Sequence, residues 1–300
     1  MSLYAYRVFQ TVVQEKSFVR AAERLQLTPS AVSHTIAKIE ENAGMTLLIR
    51  EKRGVTLTEA GKQIYQYIKD ILATEDMLEK RVAQIKGAES GPVRLGMIES
   101  VAVNWLSGLL TRYQKGRSGV QVTVQEAGYS TLIQALLAHE LDLAIVSHTA
   151  VTKNTSRPLQ FIPLYEDRLV CVVPKSSLYA AKEVMPLETL SGLPVILPQG
   201  GDEADVVLYL QQHDVHPQIV GHAAACVPLL EMVTCGLGCG VTPELSVTHF
   251  GYEEKIATLA LVPFAARSLG IITQEPRFLS PAVRQLIAAI QDYVWNHFTI

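Results

Sequence analysis

The residues whose chemistry stands out first are Ser30, Ser33, His34 and Lys38, all inside the stretch Phe18 to Glu40. If Val32, Ile36 and Ile39 turn inward, a rotation of about 100° per residue sends Ser30, His34 and Lys38 outward and leaves Ser33 on the flank. The serine hydroxyls are small enough to approach phosphates or base edges closely. His34 can donate or accept toward a base edge, and Lys38 is a compact charge for a phosphate. The set suits nucleic-acid binding. A solvated helical hairpin carries similar residues, so the neighbouring elements must decide. Arg50, Lys52 and Arg53, beside the turn residue Gly54, form a second basic group suited to a DNA backbone or minor groove.

A third group lies where strands are expected to end. Ser100, Ser130, Thr131 and Ser147 fall in one half of the C-terminal region, and Gln199, Gly200, Gly201 and Cys226 in the other. In open α/β sheets ligands bind outside the C-terminal strand ends, where helix N-termini offer free amides. Hydroxyls and amides of this kind fit a small anionic ligand held between two halves. Each hydroxyl taken alone also serves as an ordinary helix cap. No arginine is obviously positioned for a carboxylate, which leaves the ligand's charge open. His148 and Cys226 are titratable, yet no nucleophile, base and orienting group assemble, and neither G-x-S-x-G nor a P-loop is present. Cys235 and Cys239 are separated by Gly-Leu-Gly, a weak metal or redox spacing without a companion pair. No catalytic residue, metal or cofactor is expected.

The elements that position these groups follow from periodicity. Leu3, Tyr6, Phe9 and Val13 mark a first helix, Phe18, Ala21, Ala22 and Leu25 a second, and Val32, Ile36 and Ile39 a third. Ser17 and Thr28 are good N-caps, Pro29 loses nothing at the next position, and Gly44 stops the third helix. A turn as short as Gln26-Leu27-Thr28 predicts a helix-turn-helix. Leu47 to Ile49 and Val55 to Leu57 then read as the two strands of a wing. Thr58 caps a long helix in which Ile64, Ile68, Ile71, Glu75, Leu78, Val82 and Ile85 form a heptad seam broken only at Glu75. Some four heptads make a rod roughly 40 Å long, suited to pairing two copies of the chain through residues 58–87.

Gly87 to Pro92 reads as a linker, after which strands and helices alternate. Strands are expected at 93–97, 120–126 and 142–146, with helices at 101–115 and 131–138. The order repeats with strands at 169–173, 195–197, 218–223 and 240–242 and helices at 203–213 and 227–235. A strand at 269–273 and a helix from 280 to about 298 close the chain. Such alternation implies βαβ units in two similar halves.

Composition agrees. A chain of 300 residues, 48% hydrophobic and 18% charged, is long enough for two or more compact units. No apolar run reaches the roughly 18 residues of a membrane span, and the first residues lack a basic and apolar signal segment, so a cytoplasmic protein is expected. Four unevenly placed cysteines fit a reducing compartment. The net charge of −3 conceals an asymmetry: residues 1–87 hold 13 lysines and arginines against 10 acidic residues. The basic surplus falls on the segment with the helix-turn-helix.

With these elements placed, the sequence resembles the LysR-type transcriptional regulators over essentially its whole length. The resemblance is most specific in residues 17–61, in SFVRAAERLQLTPSAVSHTIAKIEENAG, the wing and LTEAG. Two positions depart from the family pattern. Leu48-Ile49-Arg50 stands where leucine-phenylalanine-x-arginine is usual, and His34 stands where arginine is frequent, which implies altered base reading and sensitivity to pH near about 6.5. The resemblance implies a winged helix-turn-helix over 1–58, with Thr28, Pro29, Ser30, Ser33, His34, Lys38, Arg50, Lys52 and Arg53 toward double-stranded DNA. It implies a linker helix and hinge over 59–91 and an effector-binding domain over 92–300. That domain would be two-lobed α/β, similar to periplasmic binding proteins, with lobe one at 92–165 plus 266–300 and lobe two at 166–265. Ser100, Ser130, Thr131, Gln199, Gly200 and Cys226 map to its cleft. Homotetramers on an interrupted inverted repeat are implied as well. The cysteine spacing of peroxide-sensing relatives is not reproduced. Two other readings stand beside this one: a solute-binding or catalytic α/β protein with a helical dimerisation module, and a thiol sensor using Cys235 and Cys239.

Overall fold

The computed structural model describes residues 2–51, 54–85, 92–114, 121–149, 159–199, 201–274 and 279–298. The chain divides into two compact units, Met1–Gly87 and Ala88–Ile300.

The first unit contains α1 (Leu3–Glu15), α2 (Phe18–Leu25), α3 (Pro29–Ala43), β1 (Leu48–Glu51), β2 (Gly54–Leu57) and α4 (Glu59–Ile85). Its helix starts are made locally. Ser17 Oγ accepts from Arg20 N at 3.3 Å, Thr28 Oγ1 from Ala31 N at 3.2 Å and Thr58 Oγ1 from Gly61 N at 2.8 Å. Each cap satisfies an amide that the helix itself leaves unpaired. Gly44 closes α3 in the left-handed region at φ 67°. Val8, Phe9, Val12, Ala21, Ala22, Val32, Ile36, Ile39 and Leu47 form the core. Gly61 is required by packing, since a Cβ there would lie 2.1 Å from the Leu47 carbonyl oxygen.

The first half of α4 belongs to this core. Ile68 and Leu72 are buried in it and Ile64 packs against it, so these positions serve the unit's own fold rather than a uniform seam. Glu75, where the apolar seam breaks, is paired inside this unit: its carboxylate is 3.0 Å from Arg7 Nη2 on α1, which also pairs with Asp76 at 3.0 Å. Among the described side chains of α4, the large exposed apolar ones are Tyr67, Ile71, Leu78 and Val82, again at spacings of four and seven. The side chain of Ile85 and the linker at 86–91 lie outside the described residues.

The second unit holds β3 (Val93–Met97), α5 (Glu99–Gln114), β4 (Val122–Glu126), α6 (Tyr129–Leu137), β5 (Leu143–Ser147), β6 (Gln160–Pro174), β7 (Val184–Pro186), β8 (Pro194–Pro198), α7 (Gly201–Gln212), β9 (Gln218–Ala223), α8 (Cys226–Thr234), β10 (Cys239–Pro243), β11 (Ile256–Val262), β12 (Ala266–Thr273) and α9 (Pro281–Phe298). Two lobes share β6. Its first part pairs with β12, in the order β4-β3-β5-β12-β6; its second part pairs with β10 and β11, in a sheet that continues to β8 and β9 on one side and β7 on the other. Strands β3, β4 and β5 run parallel, as do β8, β9 and β10, so within each lobe their C-terminal ends open on one side. Helix α9 returns to lobe one through Val283, Leu286, Ile290 and Val294.

Three features depart from the expected pattern. The strand expected at 169–173 is 15 residues long because it threads both lobes. Strands β7 and β11 extend the second lobe's sheet where no strand was expected. Short 3-10 turns at Leu187–Gly192 and Glu244–Ser246 fill connections. Among the described residues no helix is long and apolar enough to cross a membrane.

Candidate functional site

In the first unit, Thr28, Pro29, Ser30, His34 and Lys38 are exposed along α3 and Ser33 is half-buried. Thr28 and Ser30 hydroxyls lie 3.0 Å apart, so the cap and the first outward serine are coupled. Arg50 departs from the expected place at the wing tip. Its guanidinium sits 4.3 Å from the centre of the Phe18 ring, and Nη2 donates to Ser33 Oγ at 2.9 Å. Arg50 therefore clamps β1 to α2 and α3. Glu40 ties the same elements from the other end, its Oε1 accepting from Leu47 N at 2.7 Å and Leu48 N at 3.0 Å. Lys52 and Arg53 lie outside the described residues.

In the second unit, a cavity of about 640 Å³ opens at the strand ends of both lobes. Lobe one contributes Glu99, Ser100, Glu126, Tyr129, Ser130 and Thr131, and lobe two contributes Gln199, Asp202, Cys226, Thr242 and Ser246. Five of the expected residues, Ser100, Ser130, Thr131, Gln199 and Cys226, are thus brought together on one lining. Gly200 lies outside the described residues. Ser147 does not line the cavity. It is fully buried and donates to Asp205 Oδ2 at 3.0 Å.

The group that sequence reasoning missed is a buried polar cluster joining the lobes. Arg267 on β12 is 1% exposed. Its Nε donates to Asp167 Oδ2 at 2.9 Å, Nη2 to Ser100 Oγ at 2.9 Å and Nη1 to the Tyr129 hydroxyl at 3.0 Å. Nη1 also pairs with Asp202. Burial opposes the arginine's charge, but Asp202, Tyr129 and Asp167 together hold its pKa well above the ordinary value. Burial likewise keeps the Tyr129 phenol protonated, so it donates to Asp202 while accepting from Arg267. Asp167 Oδ1 accepts from Leu245 N at 3.1 Å, and Ser246 Oγ donates to Asp202 Oδ2 at 3.3 Å. Ser100 therefore has one of its acceptor positions committed within the protein. A signal was present: Arg267 stands next to an otherwise apolar run, Leu269 to Ile272, and a charge at such a place needs a buried partner.

The cysteines form no Cys235 and Cys239 pair. Cys235 is exposed and donates to the Met232 carbonyl at 3.2 Å, whereas Cys239 is buried on β10 and donates to the Pro194 carbonyl at 3.4 Å. Among the described residues no group of three or more histidines, cysteines and carboxylates could hold a metal ion.

Residues 86–295 match the LysR substrate binding domain, and residues 3–62 match the bacterial regulatory helix-turn-helix protein, lysR family. Among characterised and uncharacterised relatives, the chain is 24% identical over 295 residues to the uncharacterized HTH-type transcriptional regulator YvbU of Bacillus subtilis (strain 168), covering 97% of this chain and 98% of that protein. Its fold is similar to that of a full-length OxyR variant from Pseudomonas aeruginosa, with a TM-score of 0.77 at 21% identity over 98% of this chain and 95% of the other. It is also similar to full-length CbnR complexed with its target DNA, with a TM-score of 0.68 at 17% identity over 98% of this chain and 100% of the other.

Proposed function

The chain belongs to the LysR family of DNA-binding transcriptional regulators, and from that premise we propose how its own residues divide the work of reading an operator and sensing an effector. It is a regulator with an effector-binding domain and not an enzyme. In our reading α3 enters the major groove, where Ser30 and His34 meet base edges and Lys38 meets a phosphate. Arg50 acts chiefly by holding the wing against α2 and α3, while Lys52 and Arg53 at the wing tip meet the backbone or minor groove. Two protomers pair through Tyr67, Ile71, Leu78 and Val82 on α4, and dimers associate into tetramers on an interrupted inverted repeat in the cytoplasm. A small molecule in the cleft, touching Ser100, Ser130, Thr131, Gln199 and Cys226, shifts the population between assemblies that bend DNA differently.

The observation that carries this reading is the outward face of α3, which leaves Ser30, His34 and Lys38 exposed while Val32, Ile36 and Ile39 are buried beneath it. A gel-shift of the full-length protein on DNA upstream of its own gene tests it. Retention that survives an excess of scrambled competitor is expected, and retention lost equally to both sequences would contradict it.

A further inference from the structure

Resting on the reading of the cleft as the effector site, we infer that the effector is a small organic cation, a protonated amine on an apolar body, and not a carboxylate. The sequence alone favours an anion at these strand ends, because hydroxyls and helix amides converge there. The side chains reverse that expectation.

Charge is the first argument. Glu99, Glu126 and Asp202 line the cavity, and no lysine, arginine or histidine is among its described lining residues. The Arg267 guanidinium behind the cavity is engaged at every nitrogen: it donates to Asp167, Ser100, Tyr129 and Asp202, and its Nη2 also lies at ion-pair distance from Asp167. An incoming carboxylate would have to displace one of these buried partners, leaving it unpaired.

The helix ends give the second argument. A free N-terminus attracts anions, but at α8 a carboxylate of the chain itself takes that role, and acidic residues lie in or near the first turns of the other helices around the cavity. Glu99 lies in the first turn of α5, and its Oε2 accepts from Cys226 N of α8 at 3.0 Å, across the cleft. Asp202 and Glu203 lie in the first turn of α7. Helix α6 starts at Gly128 without a side-chain cap, yet Glu126 stands two residues before it. The field inside is accordingly negative. The Cys226 thiol registers it: burial first, then Glu99 and Asp202, push it far above its ordinary value.

The third argument is independent of charge. Thr242 is 1% exposed and lines the same cavity, and among the described residues its Oγ1 has no hydrogen-bond partner. A buried hydroxyl left unpaired is costly, and a polar group on the ligand would satisfy it. Beside the hydroxyls and Gln199 the wall has an apolar part, with Ile98, Leu229, Ala127 and Ala223 to Ala225. That wall accommodates a hydrocarbon body between an ammonium at Glu99 and Glu126 and a polar group at Thr242.

The test is calorimetric titration of the full-length protein, at constant ionic strength, with tyramine, agmatine and putrescine against benzoate and succinate, repeated on Glu99→Gln and Thr242→Val. Glutamine keeps an acceptor for Cys226 N, and valine matches threonine in shape, so both variants should melt within a few degrees of the parent. Binding of at least one amine, weakened about tenfold by Glu99→Gln and about fivefold by Thr242→Val, supports the inference. Carboxylates that bind, and bind more tightly to Glu99→Gln, would overturn it while leaving the cleft as the effector site. Binding of either class that neither substitution alters, or no binding by any probe, would overturn the inference and the cleft reading together.

Discussion

Arg267 and Asp167 face each other in register where β12 and β6 pass from one lobe to the other, with Nη2 2.7 Å from Oδ2 and neither side chain exposed. The pair is the base of the cluster that reaches Ser100 and Tyr129 in one lobe and Asp202 in the other. Removing one partner of such a pair strands a buried charge, a loss of about 3–5 kcal/mol, whereas replacing both by apolar groups is far milder. Arg267→Met should therefore destabilise the second unit strongly, and Arg267→Met with Asp167→Leu should recover part of the loss, since Asp202 is still left without its cation. Urea unfolding followed by Trp105 fluorescence, in a Trp295→Phe background, checks this. A double variant no better than the single would contradict it.

Asp205 links the same region to pH. Burial raises its carboxyl above the ordinary 3.8, opposed by hydrogen bonds from Thr149 and Ser147 and by Arg267. Asp167 is raised too, again chiefly by burial. A raised carboxyl means the folded state holds its proton more tightly than the unfolded chain, so stability falls as pH rises from the ordinary value through the raised one. Asp205→Asn keeps an acceptor for Ser147 and removes the proton. The slope of melting temperature against pH, measured above about 4, should flatten in this variant; an unchanged slope would exclude Asp205 as its source.

Arg50 and Lys38 should separate in their salt dependence. Lys38 is exposed with no packing role, so Lys38→Ala should weaken binding to all DNA sequences and reduce the salt slope by about 1. Arg50 is spent on Phe18 and Ser33, so Arg50→Ala should lower the first unit's stability by up to about 1 kcal/mol and change the slope less. Fluorescence anisotropy at several salt concentrations measures both. Equal slope changes would place Arg50 on a phosphate instead.

The α4 face can be tested by size. Leu78 is 63% exposed and Val82 42%, whereas Ile68 is buried in its own unit. Leu78→Glu should shift sedimentation toward monomer without lowering the melting point, because a charge in an exposed heptad position opposes pairing only. Ile68→Glu should instead unfold the first unit. A Leu78→Glu protein that sediments as the parent does would move the interface elsewhere.

What the sequence made readable was mostly what neighbours in the chain decide. Ser17, Thr28 and Thr58 cap the helices they precede within three residues, and Gly44 and Pro29 act through their own backbone. Those features, with the spacing of Val32, Ile36 and Ile39, located the outward face of α3 to which we assign DNA reading. The misreadings fell on long-range pairs. Glu75 looked like a flaw in a seam because its partner Arg7 is 68 residues away. Arg267 looked unremarkable because Asp167 and Ser100 lie 100 and 167 residues away. Glu99 falls just before the helix expected at 101–115, and its partner, the Cys226 amide at the start of α8, is 127 residues away. The cleft hydroxyls were therefore legible, and the carboxylates that set its charge were not.

In our reading α3 distinguishes sequences through His34 in a paired arrangement. Hydroxyl-radical footprinting of the full-length protein on its upstream DNA, beside His34→Ala, addresses it most directly. Two protected tracts separated by an unprotected spacer are expected, with His34→Ala losing their distinction from flanking DNA while retaining weak, salt-sensitive binding. A single continuous tract, or protection identical in the two proteins, would contradict it.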